Sequence, residues 1–139
     1  MAIARHFDVE TLMETMGPYE HELKGFYPEE WLDDRNNVCL TDGEGNFTLY
    51  ERQLPTAVVG HYFLKARGRQ ALKLCKEFLE EIFTGPYGVF IIHGITPLDK
   101  KGALWMNRQL GFKPIGLVNT IVGPCHLVHL TKQEWETYS

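Results

Sequence analysis

The sequence predicts an α+β domain in three layers, α/β/α, on a mixed, mostly antiparallel sheet of about six to seven strands with a central βαβ unit. Three observations lead there. Thr56 to Phe83 reads as a strand, a basic glycine turn and a helix, and the apolar run Val89-Phe90-Ile91-Ile92 follows it. Two further strand-like runs precede it, Val38-Cys39-Leu40 and Phe47-Thr48-Leu49-Tyr50-Glu51-Arg52, joined by Asp42-Gly43-Glu44-Gly45-Asn46 in a hairpin pattern. The chain closes on an alternating segment, Cys125 to Leu130, behind a strand-like run from Phe112 to Val122.

Composition bounds the function. With 139 residues, 44% hydrophobic, the chain suits one core, so one domain over residues 1–139 is expected. A net charge of −4, with cations interleaved among acids, argues against a general nucleic-acid binder, and any cationic site must be local. Cys39, Cys75 and Cys125 are unevenly spaced and suit reduced thiols rather than a disulfide framework. No apolar run reaches the roughly 18 to 20 residues that a membrane span needs, and Met1 to Glu10 has no secretory apolar region. A soluble, cytoplasmic protein is the expectation.

In order, Ala2 to Phe7 predicts a short first strand, and Asp8 predicts an N-cap for a helix over Val9 to Met16, ended by Gly17-Pro18. Tyr19 to Phe26 predicts another turn or two of helix, and Pro28 opens a short helical turn through Leu32; the region is polar enough to lie as a lid over a site. The hairpin and the strand Thr56 to Leu64 form an antiparallel meander. The helix that follows places Ala71, Leu72, Cys75, Phe78, Leu79, Ile82 and Phe83 on one stripe, opposite Lys73, Lys76, Glu77, Glu80 and Glu81, and stops at Thr84-Gly85-Pro86. Val89 to Ile92 then predicts a strand buried on both faces and parallel to its predecessor. Gly94 to Lys101 reads as a loop, and Ala103 to Leu110 as a helix with Ala103, Met106, Asn107 and Leu110 inward, ended by Gly111. Gly123-Pro124 is assigned to a turn and Lys132 to Ser139 to a tail.

The turn Lys65-Ala66-Arg67-Gly68-Arg69-Gln70 carries the chemistry. A helix that begins right after a strand leaves backbone N–H groups unpaired and adds roughly half a positive charge at its start. Lys65, Arg67 and Arg69 add full charges, so a phosphate or pyrophosphate is the natural guest; solvated cations on an ordinary connection are the competing reading. The turn matches neither GxxxxGK[ST] nor GxGxxG.

The order of elements, with Arg67-Gly68-Arg69-Gln70-Ala71 at the helix start and Leu110-Gly111-Phe112 at a later helix end, resembles the Gcn5-related N-acetyltransferase superfamily over nearly the whole chain. The resemblance implies an acyl-CoA N-acyltransferase fold whose fourth and fifth strands splay apart, with acetyl-CoA as cosubstrate. By that resemblance Phe63 and Leu64 would lend backbone groups to the pantetheine arm, Gly68, Arg69, Gln70 and Ala71 would lend N–H groups to the pyrophosphate, and Lys65, Arg67 and Arg69 would neutralise it. Gln70 stands where the family has a second small residue, Asn107 where some members have a general-acid tyrosine, and Lys100 where an asparagine often precedes that helix. An amide cannot give up a proton at neutral pH. A looser resemblance is to small GNAT-like proteins of tailed bacteriophages, some of them head or internal-virion proteins.

His61, on the strand before the turn, is the candidate catalytic base, because an imidazole titrates near neutrality; a histidine paired with a carbonyl or exposed on the sheet is the alternative. Glu51 is a second candidate. His126 and His129 are three apart on a strand and point to opposite faces, so no metal site is expected there. Trp31, Trp105 and Trp135 read as packing residues, with Trp105 on the outward side of its helix. Two functions therefore stand: an acetyl-CoA-dependent N-acetyltransferase acting on a primary amine of a small molecule or protein, or a non-catalytic assembly protein of a phage particle with protein partners. Neither involves nucleic acid or membrane, and a homo-oligomer is compatible with both.

Overall fold

Residues 3–16 and 28–138 are described by the computed structural model. A two-residue strand β1 (Ala4–Arg5) leads into helix α1 (Val9–Met16), and helix α2 (Pro28–Asp33) follows. Asp8 caps α1: its Oδ1 accepts from the Glu10 N–H at 3.1 Å and its Oδ2 from the Thr11 hydroxyl at 2.6 Å. The stretch expected to carry a helical turn at 19–26 lies outside the described residues.

Strands β2 (Val38–Thr41), β3 (Phe47–Leu54) and β4 (Ala57–Phe63) form the antiparallel meander, and β1 adds to its edge. Helix α3 (Gly68–Thr84) then crosses to β5 (Ile91–Pro97), which pairs parallel with β4 and completes the βαβ unit. Helix α4 (Lys101–Leu110), strands β6 (Lys113–Thr120) and β7 (Gly123–Thr131) and helix α5 (Lys132–Tyr138) finish the chain. The sheet has seven strands in the order β1-β2-β3-β4-β5-β7-β6.

Each face of the sheet has its own core. On one face α3 buries Leu74, Cys75, Phe78, Leu79, Ile82 and Phe83 against Val38, Leu40, Tyr50, Val58, Ile92, Val128 and Leu130. Phe78 is fully buried there, and truncating such a side chain to alanine costs about 3–5 kcal/mol. On the other face Leu12 of α1 and Leu32 of α2 cover Cys39, Phe47, Leu49 and Phe63. Among the described residues, the second cover lies over the β2–β4 half alone, and none of the described helices lies on the same face of β5, β7 and β6.

Five expectations need correction. The segment 94–97, read as loop, belongs to β5, because pairing with β7 runs without a break from Ile91↔Thr131 to Pro97↔Cys125 and overrides the breaker residues Gly94 and Pro97. The run Val89 to Ile92 is not buried on both faces: Val89 and Ile92 face α3, whereas Phe90 is half exposed and Ile91 partly so, since none of the described helices covers that side. Gly123-Pro124 begins β7, and the turn is Ile121-Val122. The final residues form α5 rather than a tail. Thr131 and Glu134 close a reciprocal capping box, with the Glu134 N–H on Thr131 Oγ1 at 3.1 Å and the Thr131 N–H on Glu134 Oε1 at 3.1 Å. In α4, Ala103 is exposed, and the inward side chains are Met106, Asn107 and Leu110.

Candidate active site

Strands β4 and β5 pair at only three positions, Ala57↔Ile91, Val58↔Ile92 and Val59↔His93. Beyond them β4 continues to Phe63, held by β3 as far as Phe47↔Phe63, and β5 continues to Pro97, held by β7. The two strands therefore diverge, each secured from its outer side, and the facing backbone groups from Gly60 onward on β4 and from Gly94 onward on β5 have no partner across the gap. A strand-shaped ligand with amide groups could use them.

Three aromatic side chains stand near this divergence, Tyr62 and Phe63 on β4 and Phe90 just before β5. Phe63 is drawn into the cluster with Leu12, Leu32 and Phe47. Tyr62 packs into the α3 core, and Phe90 turns outward under the Lys132 ammonium, 5.1 Å from the ring centre.

At the mouth of the gap the turn into α3 is held by Asn46. Its Oδ1 accepts from the N–H groups of Lys65 at 2.8 Å and Ala66 at 3.0 Å, while its Nδ2 donates to Asp42 Oδ2 at 2.8 Å. The Arg67 guanidinium folds back onto the carbonyls of Leu64 and Ala66 and braces the turn rather than reaching out. Lys65 lies along Gly45, where a Cβ would come within 2.7 Å of its side chain.

Gly68 opens α3 with φ +61°, a left-handed value that disfavours any side chain, and nothing lies within 4 Å of where its Cβ would be. No side chain caps this helix start. The Ala71 N–H already reaches the Arg67 carbonyl at 3.5 Å and Ala71 is buried, so Gly68, Arg69 and Gln70 carry the free first-turn amides. Farther along α3, Arg69, Lys73 and Lys76 recur on one helical face. With Leu72 of α3 and Trp105 and Gln109 of α4 they line an open groove of about 480 Å³.

On the other face of the sheet, His61 pairs with Leu49 in register and Glu51 with Val59, so His61 and Glu51 are diagonal neighbours on the side of α1 and α2. The His61 ring reaches solvent but is crowded by the sheet. Desolvation lowers its pKa from the ordinary 6.5, and the Glu51 carboxylate opposes this. Asn107 of α4 donates through Nδ2 to Thr96 Oγ1 at 2.9 Å, which ties α4 to the diverging part of β5. His126 and His129 do face opposite ways: His129 stands opposite His93, their rings stacked at 6.4 Å, while His126 stands opposite Thr96.

Sequence reasoning placed Phe63, Leu64, Arg67, Gly68, Arg69, Gln70 and Ala71 around one turn, and the structure keeps them together. His61 is on the same strand but belongs to the opposite face from the α3–α4 groove. Asn46 and the groove residues Lys73, Lys76, Trp105 and Gln109 were missed. Asn46 closes a glycine-rich turn, a position where an asparagine side chain commonly bonds to backbone, and that was its available signal.

No family profile matches the chain, and no curated protein matches it in sequence. Solved structures match it closely in shape. The aminoglycoside 6'-acetyltransferase type Ii superposes with a TM-score of 0.72 at 16% identity, covering 94% of this chain and 97% of its own. A chimera of the spermidine N-acetyltransferase SpeG from Vibrio cholerae with hSSAT gives 0.73 at 11% identity, covering 98% and 99%. The chain has the GNAT fold. The aminoglycoside acetyltransferase AAC(6')-Ib, solved in complex with coenzyme A and kanamycin, gives 0.66 at 15% identity over 98% of both chains. At these identities the likeness is one of fold alone, a seven-stranded mixed sheet with helices.

Proposed function

We propose that this chain is an acetyl-CoA-dependent N-acetyltransferase that acts on a primary amine. The observation that carries the reading is the divergence of β4 and β5 after three paired positions, followed by a helix start at Gly68 with no side-chain cap. This arrangement fits coenzyme A in three respects. The unpaired strand edges suit an amide-bearing pantetheine arm, Phe63 and Leu64 offering backbone groups. The free amides of Gly68, Arg69 and Gln70 suit a pyrophosphate, and the open space at Gly68 lets the backbone approach it. Arg69, Lys73, Lys76 and Trp105 give the nucleotide end a cationic, partly aromatic groove.

Acetyl-CoA, when bound, would supply the acyl thioester, with free coenzyme A as the leaving thiol. The chain's own residues position and deprotonate. Gln70 narrows the turn relative to a small residue but leaves its N–H available. His61 is neutral near pH 7, because its pKa is lowered, and can take a proton from an ammonium acceptor through water. Asn107 holds Thr96 and cannot act as an acid. The acceptor is a cationic amine: Asp8, Glu10, Glu14, Glu29, Glu30, Asp33 and Asp34 are all exposed on or beside α1 and α2, whose field attracts such ligands.

The experiment is titration calorimetry with acetyl-CoA, followed by release of free thiol in the presence of spermidine or kanamycin. Saturable binding and acceptor-dependent thiol release are expected. No heat up to about millimolar ligand, roughly the 4 kcal/mol limit of binding, defeats the reading.

A further inference from the structure

His93 of β5 and His129 of β7 stand directly opposite each other, a register position at which antiparallel neighbours bring their side chains together on one face. Their rings lie side by side, 6.4 Å between centres and 20° between planes. Alternation fixes the face: Ile92, Val128 and Leu130 enter the α3 core, so the two histidines stand on the reverse side of the sheet. Both are reachable from solvent, the His129 side chain being 25% exposed. Among the described residues neither ring forms a hydrogen bond, and the polar group nearest to the pair is Glu134, whose Oε1 is 4.0 Å from His129 Nε2.

We propose that His93 and His129 form a bidentate site for a divalent transition-metal ion, zinc above all, which restrains the enzyme. Neutral imidazole nitrogens are the ligands that zinc, nickel and copper(II) take. Two imidazoles on one tetrahedral zinc, each nitrogen about 2.0–2.1 Å from the ion, have ring centres about 5 Å apart. A turn of the side-chain torsions brings this pair to that distance. Among the described residues no third histidine, cysteine or carboxylate joins them, so the site is an open chelate whose remaining positions water fills. Glu134 assists from behind. Its Oε2 pairs with the Lys113 ammonium at 2.5 Å, and its Oε1 accepts from the Thr131 N–H and hydroxyl. The carboxylate, its pKa pulled down to about 2, keeps a negative charge beside His129, a common companion of a metal-bound imidazole, and Lys113 offsets part of it. Rival ligands are out of reach. The three cysteines are buried, and burial pushes the Cys39 and Cys75 thiols up to about 12, so neither offers a thiolate at neutral pH.

The position gives the ion its effect. His93 is also the last residue of β5 to pair with β4, through Val59. An ion there ties β5 to β7 and adds positive charge where β4 and β5 part. That effect rests on the acetyl-transfer reading, since the charge opposes a cationic acceptor; metal binding itself does not.

Titration calorimetry of the full chain with zinc chloride, in the absence of acetyl-CoA, tests the site separately from the acetyl-CoA titration. One ion per chain is expected. His93→Gln and His129→Gln should each weaken binding at least about tenfold, whereas His126→Gln, on the other face, should not. Nuclear magnetic resonance of the wild-type chain, which needs no variant to fold, should show zinc shifting the His93 and His129 ring signals together. Zinc should also slow the formation of acetylated spermidine by wild type more than by His129→Gln. The proposal is overturned by an absence of saturable binding up to about millimolar zinc, by His93 and His129 variants that bind as tightly as wild type, or by ring shifts confined to other histidines. Equal slowing of wild type and His129→Gln overturns the restraint on the enzyme.

Discussion

Asn46 holds Lys65 by the backbone: its side-chain oxygen accepts the Lys65 N–H at 2.8 Å across 19 residues of sequence, and the Ala66 N–H at 3.0 Å. One buried amide at the end of the β2–β3 turn thus sets where β4 stops and where the path to α3 begins. Asn46→Ala leaves both donors without that acceptor, at about 1–3 kcal/mol. Urea denaturation should show the loss, and calorimetry should show weaker coenzyme A binding than stability alone explains. Asn46→Asp keeps the acceptor but sets a carboxylate against Asp42, so its destabilisation should ease as the pH falls through the carboxylate range.

Gly68 separates backbone strain from ligand approach. At φ +61° any side chain is strained by about 1–2 kcal/mol, yet a Cβ meets no neighbour. Gly68→Ala should therefore lower stability by about that amount, and Gly68→Glu by little more, since an acid is tolerated near a helix N-terminus. Coenzyme A binding should discriminate between them: the glutamate should cost at least tenfold, about 1.4 kcal/mol, beyond the alanine. Equal affinities in the two variants would leave Gly68 as a turn residue only.

Arg69, Lys73 and Lys76 share the groove with Trp105. Arg69→Ala or Lys73→Ala should weaken coenzyme A binding by a few fold at low salt, about 0.5–1 kcal/mol, and the difference from wild type should shrink as salt is raised. Trp105→Ala should weaken it in a manner that salt does not erase, because aromatic stacking is not screened. Titrations at two ionic strengths read out both.

His61 should give the rate its ascending pH limb. Desolvation lowers its pKa, so the limb should lie below the ordinary histidine value of 6.5, and Glu51→Gln, which removes the opposing pull, should move it lower still. His61→Gln should reduce kcat/KM by about a hundredfold or more and flatten the limb. The same shift bears on stability. The folded chain resists protonation at His61 more than the unfolded chain does, so this contribution is complete above pH 6.5 and is lost as the pH falls through the lowered value.

Thr131 and Glu134 start α5, whose Trp135 stacks on Phe83 with ring centres 5.3 Å apart. Thr131→Val should cost about 1 kcal/mol in thermal unfolding and detach part of that contact. The Lys113 ammonium, followed by the Thr131 N–H and hydroxyl, pulls the Glu134 pKa from 4.5 down to about 2. The stabilisation from that carboxylate is therefore present above pH 4.5 and is lost as the pH drops toward about 2, a dependence that Glu134→Gln should remove.

Much of this was legible without coordinates because the signals are local. Asp8 before Val9, Gly111 after Leu110 and the apolar stripe from Ala71 to Phe83 each state a boundary or a buried face in residues a few positions apart. Where local signals conflicted with long-range pairing, pairing won. Gly94 and Pro97 read as breakers, but seven consecutive partners on β7 hold them in a strand. The helix α5 was readable too, since Thr131 and Glu134 have capping-box spacing, but no long apolar stripe drew attention to it.

The sequence by itself determined the order of elements, the βαβ crossover, the glycine at the start of α3 and the cationic turn, because periodicity and punctuation act over one or two turns of chain. Only the tertiary structure decided that β4 and β5 part after Val59 and His93, that Asn46 reaches the Lys65 backbone, that Trp105 lines one groove with Lys73, and that β6 forms the sheet edge. Each of these joins residues whose separation along the chain carries no local preference, and it is set by which strands and helices pack beside one another.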